Sequence, residues 1–172
     1  MSVANKIAVA ANVAIIITCA VLVTMVAIFR GPQLMGSSQA RPYEVGDVFS
    51  EAGPETRGKN TLVVVFRSNC VPCRESVAFH RTLAGALKTA GTANVVAISP
   101  EPADIASAYL RENQVPFTAV KSVARVRVRS TPSLFWLDSN GVVKELWIGR
   151  LPPEREAQVY RALSVSPAPA AN

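Results

Sequence analysis

Residues 61–73 read TLVVVFRSNCVPC. From Thr61 to Phe66 the side chains are β-branched or apolar without any polar alternation. Such a run belongs to a strand covered on both faces, as in parallel sheets. It breaks at Arg67-Ser68-Asn69, and Cys70-Val71-Pro72-Cys73 opens a segment of a different period. Apolar residues at 77, 79, 83, 84, 86 and 87, with Gly85 the main breaker, predict a helix from Cys73 to Ala90. A C-x-x-C at the junction of a buried strand and a helix is the feature from which the rest of the chain is read.

Downstream, Asn94–Ile98 (NVVAI) is a second buried strand and Ala103–Arg111 a helix, with Pro102 near its first turn. Val115–Val120 reads as a third short strand and Ser122–Val126 as a helical turn. SLFWL (133–137) and VVKELWI (142–148) flank Asp138-Ser139-Asn140-Gly141, a hairpin with Asn-Gly in its turn. A last helix, Glu154–Leu163, follows Pro152-Pro153. The order β-α-β-α-β, then hairpin, then helix predicts an α/β domain with a mixed central sheet flanked by helices.

The ends differ in composition. Hydrophobic residues make up 49% of the 172 and charged residues 17%, and the excess is concentrated between Ile7 and Phe29, which carry no charge. At 1.5 Å per residue this run is long enough for a hydrocarbon layer of roughly 30 Å. It exceeds the roughly 7–15 apolar residues of a secretory signal, so an uncleaved anchor is the expectation. Cys19 within it, preceded by Thr18 and followed by more apolar residues, reads as a small apolar side chain rather than a lipidation site. Lys6 on one side and Arg30 and Arg41 on the other leave the orientation open. The predicted organisation is an anchor over 1–30, a Gly/Pro/Ser-rich linker with a short strand over 31–58, a domain over 59–163 and a disordered tail over 164–172. Eighteen Lys+Arg against 12 Asp+Glu give a net charge of +6. The cations are scattered, apart from Arg125, Arg127 and Arg129, and have no aromatic interleaving, so no nucleic-acid partner is expected.

Four uses of Cys70 and Cys73 compete. A structural zinc site needs four ligands, and outside the anchor only Cys70, Cys73 and His80 are available. A copper site on the same three residues would need His80 to reach back two helical turns, and His80 reads more simply as a solvated helix residue. A purely structural bridge between neighbours at a helix start gains little from closing so small a loop. Redox exchange fits best. A thiolate at a helix N-terminus is stabilised by unpaired N–H groups and the helix dipole, which makes Cys70 the exposed nucleophile and Cys73 its more covered partner. Pro72 is tolerated in the first turn, where its missing N–H would have been unpaired. Thr131-Pro132 precedes the apolar strand SLFWL, where a proline cannot donate to a ladder. The residues alone leave its peptide bond open between cis and trans.

TLVVVFRSNCVPC, QVPFTAV and VRSTPSLFWLDSNGVV, in that order, resemble the thioredoxin superfamily, and within it the membrane-anchored TlpA-like and ResA-like thiol-disulfide oxidoreductases of bacteria. The resemblance covers about residues 60–163. It implies a thioredoxin-like fold preceded by one N-terminal transmembrane helix, with Cys70 attacking, Cys73 resolving, Pro132 in cis, and Asn69, Val71, Pro72, Thr131 and Pro132 meeting the substrate. It implies a protein in the bacterial inner membrane, held in the bilayer through residues 7–29, with its domain on the periplasmic or outer side. Its partners are then cysteine-containing proteins of the cytochrome c or copper-site maturation class and a membrane thiol donor, with reduction the favoured direction. No cofactor beyond the Cys70–Cys73 disulfide and no metal are expected. Three positions depart from the family. Asn69 replaces the usual aromatic before the first cysteine, Val64 stands where many thioredoxins bury a carboxylate, and Ser76 stands where a Glu is frequent, the carboxylate being at Glu75 instead. The rival from another class is a copper-binding assembly module on the same fold. A peroxidase ranks last, because Arg67 stands where such an enzyme usually has Thr.

Overall fold

A computed structural model describes residues 16–21, 24–25, 41–117 and 119–166. The chain divides into two compact units, Met1–Arg41 and Pro42–Asn172. In the first, 16–21 and 24–25 are helical, and Cys19 is exposed with a free thiol. No helix among the described residues is long and apolar enough to cross a membrane. Of the expected span over 7–29 only residues 16–21 and 24–25 are described, and residues 31–40 of the expected linker and 167–172 of the expected tail lie outside the described residues.

The second unit is built on a five-stranded sheet: β1 (Thr61–Val65), β2 (Asn94–Ser99), β3 (Ala119–Ser122), β4 (Ser133–Leu137) and β5 (Val143–Ile148), in the order β3-β2-β1-β4-β5. β1 and β2 pair in parallel, as do β2 and β3; β4 is antiparallel to both β1 and β5. Leu62, Val63, Val64 and Val65 are all at most 1% exposed, as the unbroken apolar run of β1 requires, and each contributes about 1.5–3 kcal/mol by leaving water. Asp138 shapes the β4–β5 turn, its Oδ1 accepting from the Asn140 and Val142 amides at 2.9 and 3.0 Å. Gly141 takes φ 80°, which an L side chain resists.

Strand alternation splits the core. Leu62, Val64, Val95, Leu134 and Trp147 pack with Phe79, Leu83 and Leu87 of α2 (Val77–Ala90) and with Val159 of α4 (Pro153–Ala162). Phe66 and Ala97 on the same side pack with Cys73 of α1 (Val71–Glu75) and with Ala106 and Leu110 of α3 (Ala103–Glu112). The opposite side, Val63, Val65, Val96, Ile98, Phe135 and Leu137, is covered by irregular chain instead: Tyr43, Phe49 and Ala52 before β1, and Val123, Val126 and Val128 after β3.

Four expectations are corrected. The folded unit starts well before residue 59: Phe49 donates its amide to Gly141 (2.9 Å), Gly46 its amide to Val143 (2.8 Å), and Val48 bridges Val142. The helix expected from Cys73 to Ala90 is two helices, interrupted at Ser76, whose hydroxyl donates to the Pro72 carbonyl at 2.8 Å. The third strand starts at Ala119 rather than Val115, because Val115 is used by a helix cap. Gln114 adopts φ 54° and the Val115 amide returns to the Leu110 carbonyl at 2.9 Å, closing a Schellman-type end to α3 with Val115 against Leu110. Residues 123–126 are irregular rather than helical, and Val123 and Val126 pack against the side of the core that holds Val63.

Candidate functional site

Cys70 occupies the N-cap of α1 with extended backbone (φ −92°, ψ 117°), and its Sγ accepts the Cys73 amide at 3.2 Å. The helix starts there because Pro72 lacks an N–H where none is needed, while the Arg74 amide already returns to the Cys70 carbonyl at 3.1 Å. Cys70 and Cys73 are bridged by a disulfide with Cα atoms 5.2 Å apart. The two sulfurs differ in access: Cys73 is 1% exposed among Phe66, Val77 and Ala106, whereas Cys70 is half-buried. An incoming sulfur therefore meets Cys70 first.

From the other side of the sheet centre, the start of β4 closes on Cys70. The Thr131–Pro132 peptide bond is cis. The Thr131 hydroxyl donates to Cys70 Sγ at 3.4 Å, and the Thr131 carbonyl oxygen lies 3.3 Å from the same sulfur. The Cys73 amide and the Thr131 hydroxyl are thus the two donors within reach of Cys70 Sγ. Pro132 is buried, and its carbonyl accepts the Gly149 amide at 2.7 Å, which holds the loop after β5 beside it. Thus Cys70, Cys73, Thr131 and Pro132, separated by some sixty residues in sequence, meet at one point. Asn69, Val71 and Pro72 are exposed beside them, Val71 at 52%.

Two other residues singled out in the sequence fall elsewhere. Glu75 is exposed and pairs with Arg150 at 3.2 Å. His80 is not solvated: it is buried in α2 with Nε2 lacking a hydrogen-bond partner, and desolvation lowers its pKa to about 4. Its place was readable, since 77, 80, 84 and 87 lie on one helical face with apolar neighbours. Among the described residues no cluster of three His, Cys, Asp or Glu side chains is arranged to hold a metal ion.

One residue next to the site was missed. Glu101, just after β2, accepts the Ser68 amide at 2.8 Å and the Ser68 hydroxyl at 2.7 Å, two residues before Cys70. The Ser99 hydroxyl adds a third bond at 3.1 Å. Burial by itself pushes this carboxyl up, but the Ser68 amide and hydroxyl, the Ser99 hydroxyl and the Arg67 charge outweigh it and hold the carboxyl below the usual range. Its partner lies 33 positions away, and no local pattern marks it.

No protein-family model matches the chain, and no curated protein matches it in sequence. Solved structures do match. A DsbE from Chlorobium tepidum, described as a candidate thiol:disulfide interchange protein, superposes with a TM-score of 0.55 at 23% identity, over 70% of this chain and 96% of that one. A DsbF homologue from Corynebacterium diphtheriae gives 0.52 at 14% identity, over 74% and 90%. A thiol:disulfide interchange protein from a Bacteroides species gives 0.53 at 13% identity, over 72% and 88%. The fold of this chain is therefore thioredoxin-like, with its C-x-x-C at the junction of β1 and α1.

Proposed function

We propose that this chain is a thiol-disulfide oxidoreductase of the cell envelope that reduces disulfides in partner proteins. The observation that carries the reading is the asymmetry of the pair. Cys70 is accessible and surrounded by donors from Cys73 and Thr131, while Cys73 is buried within bonding reach behind it. The Cys70 thiolate attacks one sulfur of a partner disulfide, forming a Cys70–partner bond and expelling the partner's second sulfur as a thiolate, which takes a proton from water. The Cys73 thiolate then attacks Cys70 Sγ, forms the Cys70–Cys73 bond and expels the partner's first sulfur. Two electrons pass to the partner, and a membrane thiol donor returns the pair to the dithiol.

The apolar run Ile7–Phe29 supports an anchor in the bacterial inner membrane, with the domain on its periplasmic or outer side. Asn69, Val71, Pro72, Thr131 and Pro132 form the surface that meets the partner, whose cysteines belong to apocytochrome c or to a copper site. The test is insulin reduction driven by dithiothreitol. The parent protein accelerates it and Cys70→Ser does not; a parent rate no faster than dithiothreitol by itself refutes the reading. A pair potential near that of thioredoxin, about −270 mV, supports the reductive direction, and one near the oxidant DsbA, about −120 mV, reverses it.

A further inference from the structure

We propose that Glu101 is a positioning residue for disulfide exchange: its carboxylate clamps the turn that delivers Cys70 to the head of α1. This inference rests on the exchange function proposed above. Between the end of β1 and the start of α1 the chain turns through Arg67-Ser68-Asn69. Within that turn the Cys70 amide makes only a long bond, 3.4 Å, to the Arg67 carbonyl. The short bonds go outward, from the Ser68 amide and hydroxyl to Oε2 and Oε1 of Glu101. Glu101 is itself secured at the ends of two strands. Its amide donates to Ser99 Oγ at 3.2 Å, Ser99 Oγ donates to its carboxylate, and the Ser122 hydroxyl at the end of β3 donates to its carbonyl at 2.8 Å. The cysteine turn is thus tied through one side chain to β2 and β3.

A carboxylate suits this role because it accepts the amide and the hydroxyl at once, on separate oxygens, and charge-assisted bonds of this kind are about twice as strong as neutral ones. What the clamp protects is the position of Cys70 Sγ, which must stay near both the Cys73 amide and Thr131 while its covalent partner changes. A displacement of about 1 Å at a reacting atom costs on the order of a hundredfold in rate. The charged groups around the turn are Arg67, whose field acts on Glu101, and Arg74, which with Glu101 acts on Tyr109. Glu101 touches neither sulfur through any of these bonds and acts through Ser68.

The experiment follows ring closure in the full chain. Reduced protein is mixed with oxidised glutathione, which gives the Cys70–glutathione mixed disulfide and one free glutathione, and the release of the second glutathione is timed as Cys73 closes on Cys70. Glu101→Ala slows closure about tenfold, while Glu101→Gln, which keeps an oxygen for the Ser68 amide, stays within about threefold of the parent. Ser68→Ala falls between them, and Asp138→Ala, which loosens the β4–β5 turn at the far end of β4 and leaves both Ser68 bonds in place, closes at the parent rate. The Cys70 thiol titrates higher in Glu101→Ala than in Glu101→Gln, since both lose the charge and only the first loses the clamp. Closure in Glu101→Ala at the parent rate overturns the proposal, as does equal slowing by Asp138→Ala. If Glu101→Ala does not fold, Ser68→Ala against Asp138→Ala decides between the same outcomes. A parent that closes its own disulfide but never reduces a protein disulfide removes the proposed function and leaves the clamp measurement standing.

Discussion

The two faces of the sheet are covered by different kinds of structure. One carries helices and, at the head of α1, the cysteine pair. The other carries irregular arms, residues 43–56 and 123–129, whose side chains fill the same role without periodicity. Tyr43 stacks on Phe49 at 4.4 Å between ring centres, Phe49 lies 5.0 Å from Phe135 of β4, and the Arg127 guanidinium sits 3.9 Å above the Tyr43 ring. The Tyr43 hydroxyl donates to the Glu51 carboxylate. The second face is thus closed by aromatic packing between segments whose regular structure amounts, before β1, to two short 3-10 turns, Ser50–Ala52 and Pro54–Thr56. A core can be completed by side chains from chain that reads as linker.

The sharpest way to break this comparison is Phe49→Ala. If the arm is core, removing a 2%-exposed ring lowers unfolding stability by about 3–5 kcal/mol, read from the denaturant midpoint at unchanged slope. A change of under about 0.5 kcal/mol, the usual result for a surface position, returns the arm to a linker.

A smaller effect on the helical face comes from His80. Its pKa is lowered from 6.5 to about 4 by burial. Between these values the unfolded chain binds a proton that the folded chain does not, so stability rises with pH across this window and is lost as pH falls through it. The span corresponds to about 3 kcal/mol. Comparing the parent with His80→Leu at pH 4.5 and 7.5 isolates this dependence from the carboxylates: the variant loses less stability on acidification. Equal losses in both place His80 in solvent.

The smallest effect is expected at Glu75. Both members of the Glu75–Arg150 pair are largely exposed, and such pairs contribute at most about 1 kcal/mol. Glu75→Gln leaves both stability and exchange nearly unchanged. A large loss of exchange rate would make Glu75 part of the proton chemistry at Cys73.

These contrasts explain what was legible in the sequence. β1 was readable because an unbroken Thr61–Phe66 run has few other uses, and the β4–β5 turn because Asp138 and Gly141 carry their own backbone chemistry. Cys70 at the N-cap followed from the meeting of two periods. Tyr43 and Phe49 were hidden by the Pro, Gly and Ser around them, although two aromatics in a polar stretch were a signal. His80 was misread because a titratable side chain was assigned by type, while its 77-80-84-87 spacing placed it inside. Glu101 had no sequence signal, since its meaning depends on Ser68 and on a parallel pairing of β1 with β2 that only the folded chain provides.

The most direct test of the central claim is to trap the exchange intermediate. Cys73→Ser protein, reduced and incubated with a peptide disulfide, is quenched with acid and mapped by mass spectrometry. The account predicts a single peptide adduct, on Cys70, released by dithiothreitol and absent from the Cys70→Ser,Cys73→Ser double variant. No adduct on Cys70, under conditions where free cysteine forms one, would contradict it.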